Sequence, residues 1–246
     1  MGTPLLKYSC ACCFVFFLGC ASSLPVHSSP DLSNRAPSIK RIVMVPPKVE
    51  VYELGVSSRE KIDEWSLQAE STLVNILKSQ FAQRPVLELR AWPQDSLAPA
   101  RKADLEESQA LFDAVNNSVV THTYGEGGTI FADKIKKFEY SLGPETGGLS
   151  DSADAFLFVR AVDNISSGGR KAAQAGAAIV GALFGMAVRT PGGITSISLA
   201  LVDAKDGTLL WHTYTAEEGK YDLRDPDSTN DLVTKAMEKF PLPPKM

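Results

Sequence analysis

The sequence predicts a single α/β domain, a mixed β-sheet flanked by helices with an antiparallel hairpin at its C-terminal end. Three observations predict it. The run Ala155-Phe156-Leu157-Phe158-Val159 is apolar at successive positions, as suits a strand covered on both faces. Apolar residues between 62 and 81 recur at spacings of three and four, the pattern of a helix packed along one face. "ITSISLALVDA" and "TLLWHTY" flank a turn at Asp206-Gly207, which is a hairpin signal.

The elements follow in order. "KRIVMVPP" (40–47) reads as a buried strand stopped by two prolines, and "VEVYEL" (49–54) as its extension beyond the kink. Ser57-Ser58-Arg59-Glu60 matches a capping box, so the first long helix is expected to start there, with Ile62, Trp65, Ala69, Leu73, Ile76, Leu77 and Phe81 on its inner face. "PVLELRAW" (85–92) alternates as a strand. Residues 99–122 read as a helix with Leu105, Phe112, Val115 and Val119 inward, and 131–142 as another with Phe131, Ile135, Phe138 and Leu142 inward. "TYGEGGT" and "GPETGG" are turns or loops. After the central strand (153–164) and the hairpin, a last helix begins near Asp225-Pro226 and carries Leu232, Val233, Ala236 and Met237. Gly207 is expected to supply a positive φ to the hairpin turn.

The chain begins differently. Residues 8–19, "YSCACCFVFFLG", form an apolar run of twelve behind Lys7, the size of a signal-peptide core and too short for a bilayer, which needs about 20 residues. The run ends at Gly19-Cys20 and gives way to small polar residues. Phe17-Leu18-Gly19-Cys20 resembles the bacterial lipobox, though Phe17 and Leu18 depart from the usual Leu and Ala or Ser. That resemblance implies cleavage before Cys20, a diacylglycerol on its sulfur and an acyl chain such as palmitate on its amine. The alternative is an ordinary secretory signal cut near Ala21 or Ser23. N-myristoylation at Gly2 is excluded by Leu6, where Ser or Thr is needed. In lipoprotein sorting an Asp after the cysteine retains the protein at the inner membrane. Here Ala21-Ser22 follow, which implies the outer membrane, periplasmic face. Residues 20–38, with six Ser and three Pro after the cysteine, read as lipidated Cys20 and a semi-extended tether, and 39–246 as the folded periplasmic domain.

Charge and cysteine usage narrow the function classes. Cys10, Cys12 and Cys13 fall in the removed segment, so the mature chain would keep only Cys20, with lipid on it. That leaves no disulfide, thiol nucleophile or cysteine metal site. Of 25 Lys plus Arg, removal of residues 1–19 takes only Lys7, leaving 24 against 29 Asp plus Glu, a net charge of −5. An acidic chain without a basic aromatic stripe is not a nucleic-acid binder.

The lipobox, "IVMVPP", the long amphipathic helix, "ADAFLFVRAVD", a Gly/Ala-rich stretch and "ISLALVDAKDGTLLWH" together resemble bacterial lipoproteins with a TolB-N-terminal-like or CsgG-like α/β domain. Asp203, Gly207, Leu210 and Trp211 match that group's hairpin, and the similarity covers about residues 40–224 in outline. These motifs are structural. The resemblance implies a role in envelope assembly or secretion and carries over no catalytic residue.

Chemistry-bearing patterns are sparse. His27, His122 and His212 have no close metal-ligand spacing, and neither a nucleophile elbow nor a Walker A loop is present. No cofactor is expected. "ISSGGRK" follows the central strand and opens a helix, so Ser166, Ser167, Gly168, Gly169, Arg170 and Lys171 form a candidate anion site, with a serine N-cap as the plain alternative. The next segment is the most unusual: Ala175 to Val188 carries no polar or charged side chain, and Gly176, Gly181 and Gly185 suit close helix contact. Fourteen residues give about 21 Å of helix against a bilayer core of about 30 Å. Three readings stay open: a buried crossover helix, a self-association or partner contact, or a segment inserted in or lying on a membrane. The expected function is a non-enzymatic, lipid-anchored envelope assembly, scaffold or accessory subunit acting through protein contacts. The alternative is an oligomeric secretion- or transport-associated lipoprotein that inserts 171–188 into the membrane, and a third reading is a module for an anionic ligand.

Overall fold

The computed structural model describes residues 26–84, 86–93, 99–124, 135, 137–150, 152–183 and 192–242. The α/β expectation holds: one open, mixed sheet of eight strands carries helices on both faces, and its C-terminal strands are antiparallel. The strands are β1 (Val26–Ser28), β2 (Arg41–Met44), β3 (Lys48–Leu54), β4 (Arg59–Lys61), β5 (Glu88–Ala91), β6 (Ala155–Ser166), β7 (Ile194–Asp203) and β8 (Leu209–Glu218). The helices are α1 (Leu32–Arg35), α2 (Asp63–Ala82), α3 (Pro99–Val119, running into a π-turn at Val120–Tyr124), α4 (Gly168–Leu183) and α5 (Pro226–Met237), with short 3₁₀ turns at Ala36–Ser38 and Pro144–Leu149.

The sheet order is β1-β8-β7-β6-β2-β5. β6 is twelve residues long and has two parallel neighbours on one side. Its first half pairs with β2 (Ile42↔Ala155 to Met44↔Leu157) and its second half with β3 (Lys48↔Arg160 to Leu54↔Ser166). Pro46-Pro47 separates the two, so β2 and β3 are one strand interrupted where proline removes the ladder donors. On its other side β6 pairs antiparallel with β7 over Ala155↔Asp203 to Asp163↔Thr195.

The pleat sends alternate β6 residues into two cores. Leu157 and Val159 join Ile42, Met44 and Val51 beneath α2 and α5, where Leu73, Leu77, Phe81, Leu232, Val233, Ala236 and Met237 are buried. Phe156 and Phe158 join Val43, Val45 and Val202 beneath α3, with Leu105, Phe112 and Val119. The inner faces read from the sequence for α2, α3 and α5 are those observed, with Trp65 and Ile76 packed at the margin of the first core and Val115 at that of the second. Asp225 caps α5, its side chain accepting from the Asp227 N–H at 3.0 Å.

Four expectations change. α2 starts at Asp63, not at Ser57, and its N-cap position, Ile62, supplies no side-chain hydrogen bond. Residues 55–58 turn a β3–β4 hairpin instead, with the Gly55 N–H donating to Ser58 O at 2.9 Å and Tyr52–Leu54 pairing with Arg59–Lys61. The Arg59 guanidinium lies 3.4 Å over the Tyr52 ring. That pairing uses the backbone groups a capping box would need. The strand predicted at 85–92 shortens to β5. Residues 144–149 of the predicted loop form a 3₁₀ turn. Of the helix predicted at 131–142, residues 131–134 and 136 lie outside the described residues. Phe138 has φ 49° and ends any helix there, although its side chain and that of Leu142 are buried as expected.

Residues 26–38, read as tether, belong to the folded unit. β1 pairs antiparallel with β8 (Val26↔Thr213 to Ser28↔Trp211), and the Ser29 N–H donates to Leu210 O. Arg35 then reaches the hairpin turn, donating to Asp203 at 2.9 Å and to both Asp206 carboxylate oxygens at 2.9 and 2.8 Å. The same two carboxylates accept from the Lys205 and Thr208 N–H groups and so shape the turn.

Gly207 occupies that turn at φ 70°, and a Cβ there would stand 2.1 Å from Gly143 O. Gly207→Ala is expected to lower stability by about 1–3 kcal/mol or more, combining left-handed strain with a backbone clash. The midpoint of urea unfolding at unchanged m-value checks this.

Candidate functional site

The C-terminal end of β6 opens a cleft. Asn164, Ile165 and Ser166 form one wall, Gly192-Gly193 before β7 the floor, and Gly219 to Asp222 after β8 the other wall, with Asp225 and Ser228 of the α5 start and Lys171 and Gln174 of α4 at the rim. Its volume is about 400 Å³. Gly193 is forced by proximity: a Cβ there would stand 1.5 Å from Asn164 O. Arg224 braces the far wall, gripping Asp222 with two hydrogen bonds of 3.0 and 2.8 Å while its guanidinium sits 4.3 Å over Trp65.

Ser166 and Lys171 of the candidate anion site line this cleft, whereas Ser167, Gly168, Gly169 and Arg170 do not. Ser167 Oγ accepts from the Arg170 N–H at 3.1 Å, as an N-cap does, and Arg170 Nη1 donates to Gly55 O at 3.3 Å. Gly168 and Gly169 face open space. The Ser166 hydroxyl is buried without a partner among the described residues. Lys171 and Lys220 share the cleft with Asp222 and Asp225, so the lining carries both signs. Cys20 and Gly185 lie outside the described residues. Gly176 is open to solvent, and Gly181 is the one buried residue of α4.

Beneath the cleft lies Asp163, 1% exposed. It accepts from the Leu223 N–H at 2.9 Å and lies 2.7 Å from Thr195 Oγ1, which is itself 2.8 Å from Tyr221 O. Thr195 has one hydroxyl proton and two acceptors. Burial pushes the Asp163 carboxyl up. A proton on Asp163 resolves the count, because Asp163 then donates to Thr195 and Thr195 to Tyr221.

A second buried polar group lies under α3. His212 is fully buried, with Nε2 2.9 Å from Asn116 Oδ1 and Nδ1 3.1 Å from the Tyr124 hydroxyl. An amide oxygen only accepts, so Nε2 carries a proton, while the single proton of the Tyr124 hydroxyl is shared between His212 Nδ1 and His212 O, 3.0 Å away. Burial lowers the His212 pKa to about 3 and pushes the Tyr124 hydroxyl up. β1 sets His27 directly opposite His212 in register, its ring 5.0 Å from that of Tyr124 and 5.8 Å from that of Phe138. The sequence placed His27 in a tether and missed this pairing, since a three-residue strand has no periodicity to detect. Among the described residues no group of three or more His, Cys, Asp or Glu is placed to hold a metal ion.

No protein-family model matches the sequence, and no curated protein matches it. Solved structures of similar outline are a PelC dodecamer from Paraburkholderia phytofirmans (12% identity over 91% of this chain and 99% of that one, TM-score 0.35) and lipoprotein GNA1162 from Neisseria meningitidis (13% identity over 81% and 96%, TM-score 0.31). Likeness at this level concerns the path of the chain alone.

Two pH effects of opposite sign follow. The folded His212 pKa lies below its ordinary 6.5, so the unfolded chain binds the extra proton and stability drops as pH falls from 6.5 towards 3. His212→Gln is expected to flatten that slope in urea titrations. The slope below 3.8 stays in both proteins, because Arg41 holds Asp154 near 2 and that stability is lost as pH falls through this value. Asp163 is raised, so its ionisation costs stability as pH rises from 3.8 through the folded value. Asp163→Asn is therefore expected to match or exceed the parent at pH 7, and Asp163→Ala to fall below it, in thermal unfolding.

Proposed function

We propose that this chain is a lipid-anchored lipoprotein held on the periplasmic face of a bacterial outer membrane. It works without catalysis, as an envelope assembly, scaffold or accessory subunit, through contacts with a protein partner or with itself. The observation that carries the reading is the break at Leu18-Gly19-Cys20, where a twelve-residue apolar core ends in a small residue and a cysteine. Supporting it, Cys20 is the only cysteine that cleavage there would leave, and Ala21-Ser22 lack the acidic retention signal. The edge position of β1 in the sheet also suits an anchor entering just before it.

A second reading, an oligomeric secretion- or transport-associated lipoprotein using 171–188, is favoured by one observation. Ile179, Val180 and Leu183 are 65%, 54% and 79% exposed on α4. The buried-crossover reading of this segment does not fit that exposure. No helix among the described residues is long and apolar enough to cross a membrane.

The mass of the N-terminal peptide tests the leading reading. A peptide beginning at Cys20 and carrying diacylglycerol and an acyl chain is expected, and Cys20→Ser should abolish both and release the protein from membranes. An unmodified N-terminus near Ala21 or Ser23 overturns it. Ala21→Asp should shift the protein to the inner-membrane fraction on density gradients. For the second reading, Gly181→Leu should reduce a large species to a small one in light scattering.

A further inference from the structure

We propose that α4 is a second membrane contact, lying flat on the bilayer surface beside the lipid anchor. The inference rests on the anchor reading at Cys20.

The helix is built inside out. Arg170 and Gln174, its partly buried polar side chains, share a stripe with buried Gly181, while Ile179, Val180 and Leu183 point to solvent. A helix folded only for water puts those groups the other way round. Within Gly168–Leu183 the charges are Arg170 and Lys171, both positive and both in the first turn, and no acid occurs. Sixteen residues make about 24 Å of helix, too short to span and long enough to lie in the headgroup region with apolar side chains down.

Topology puts the start of this helix at the end of the sheet that the N-terminal end of β1 faces. β1 is antiparallel to β8, so its first residue, Val26, is turned towards the Glu218 end of β8. Glu218 pairs with Ile194, and the neighbouring Thr195 with Asp163, so that end is also the end of β6 from which α4 leaves. Six residue steps from Cys20 to Val26 span at most about 20 Å, and β8 from Thr213 to Glu218 covers about 17 Å. A lipid on Cys20 thus enters the bilayer within about 20 Å of Val26, and no farther than about 37 Å from this end. Two large apolar side chains are exposed at this end of the sheet, Val56 in the β3–β4 turn and Ile194 at the start of β7. A bilayer held within reach of that end by the anchor is the partner these side chains fit.

The test uses a label that the chain's cysteine content makes selective. In the mature lipidated protein Cys20 is blocked, so Ile179→Cys offers one thiol for an environment-sensitive fluorophore. Lys205→Cys, at the opposite end of the sheet, is the reference. Both are placed in vesicles of phosphatidylethanolamine and phosphatidylglycerol doped with a spin-labelled lipid. Quenching at 179 is expected to exceed that at 205 by about twofold or more, as an apolar face seated about 5–10 Å into the headgroup boundary requires. Adding Val180→Asp and Leu183→Asp should remove the difference while thermal unfolding stays unchanged. Equal quenching at the two positions overturns the proposal. So does a label at 179 that is shielded only in a larger, vesicle-free species, which would give the face to a second copy. Failure of the anchor reading is seen separately, in the mass of the N-terminal peptide. In that case the same labels on mature Cys20→Ser protein at high vesicle concentration decide, with quenching at 179 supporting the contact and its absence overturning it.

Discussion

Everything in this fold hangs on β6. It is paired with β2 and β3 on one edge and with β7 on the other, so it joins the parallel half of the sheet to the antiparallel half, and its side chains alternate between the two cores. Phe156 and Phe158 face α3, and Leu157 and Val159 face α2 and α5. A polar residue at any of these four positions would leave an unpaired group in a core, at a cost of order 1–3 kcal/mol or more. Polar side chains enter the strand only beyond this run, with Arg160 paired to Glu50 and Asp113 and then Asp163, Asn164 and Ser166, where the cleft opens. The buried Asp163 marks that boundary, still inside the sheet yet hydrogen-bonded to the segment that closes the far wall.

The same boundary explains why much of the architecture was legible in the sequence. β6, the hairpin and the inner faces of α2, α3 and α5 depend on burial, and burial writes periodicity into a chain. The start of α2 was misread because Ser57, Ser58 and Glu60 serve equally well as a capping box or as a turn and short strand; the choice is made by pairing with Tyr52–Leu54, which is not a property of the segment itself. β1 was misread because three residues have no period and because its clamp, Arg35, finds Asp203 and Asp206 about 170 positions along the chain.

The candidate site was half legible for a similar reason. That a strand end followed by Ser-Ser-Gly-Gly opens a helix follows from local chemistry, and Ser167 does cap α4. Which of those side chains face a common space depends on β7 and β8, hence Ser166 and Lys171 in the cleft and Arg170 turned to Gly55. The small residues of α4 were read as suiting close helix contact, yet Gly176 is open to solvent and Gly181 alone is buried in the described helix. Composition records that a surface is apolar, and only the fold records that it is left uncovered.

β1 carries a mechanical consequence. Tension applied to the chain before Val26 runs along the axis of β1, not across it, so the hydrogen bonds to β8 are sheared together instead of being peeled one at a time. Behind them Arg35 ties the next turn to the far end of the same hairpin. The domain is thus hitched at two points to its own central sheet. A load entering at the N-terminal side is passed to β8 and β7 before it reaches α2, α3 or α5, and a partner that pulls on the body of the protein strains the edge strand before it disturbs either core.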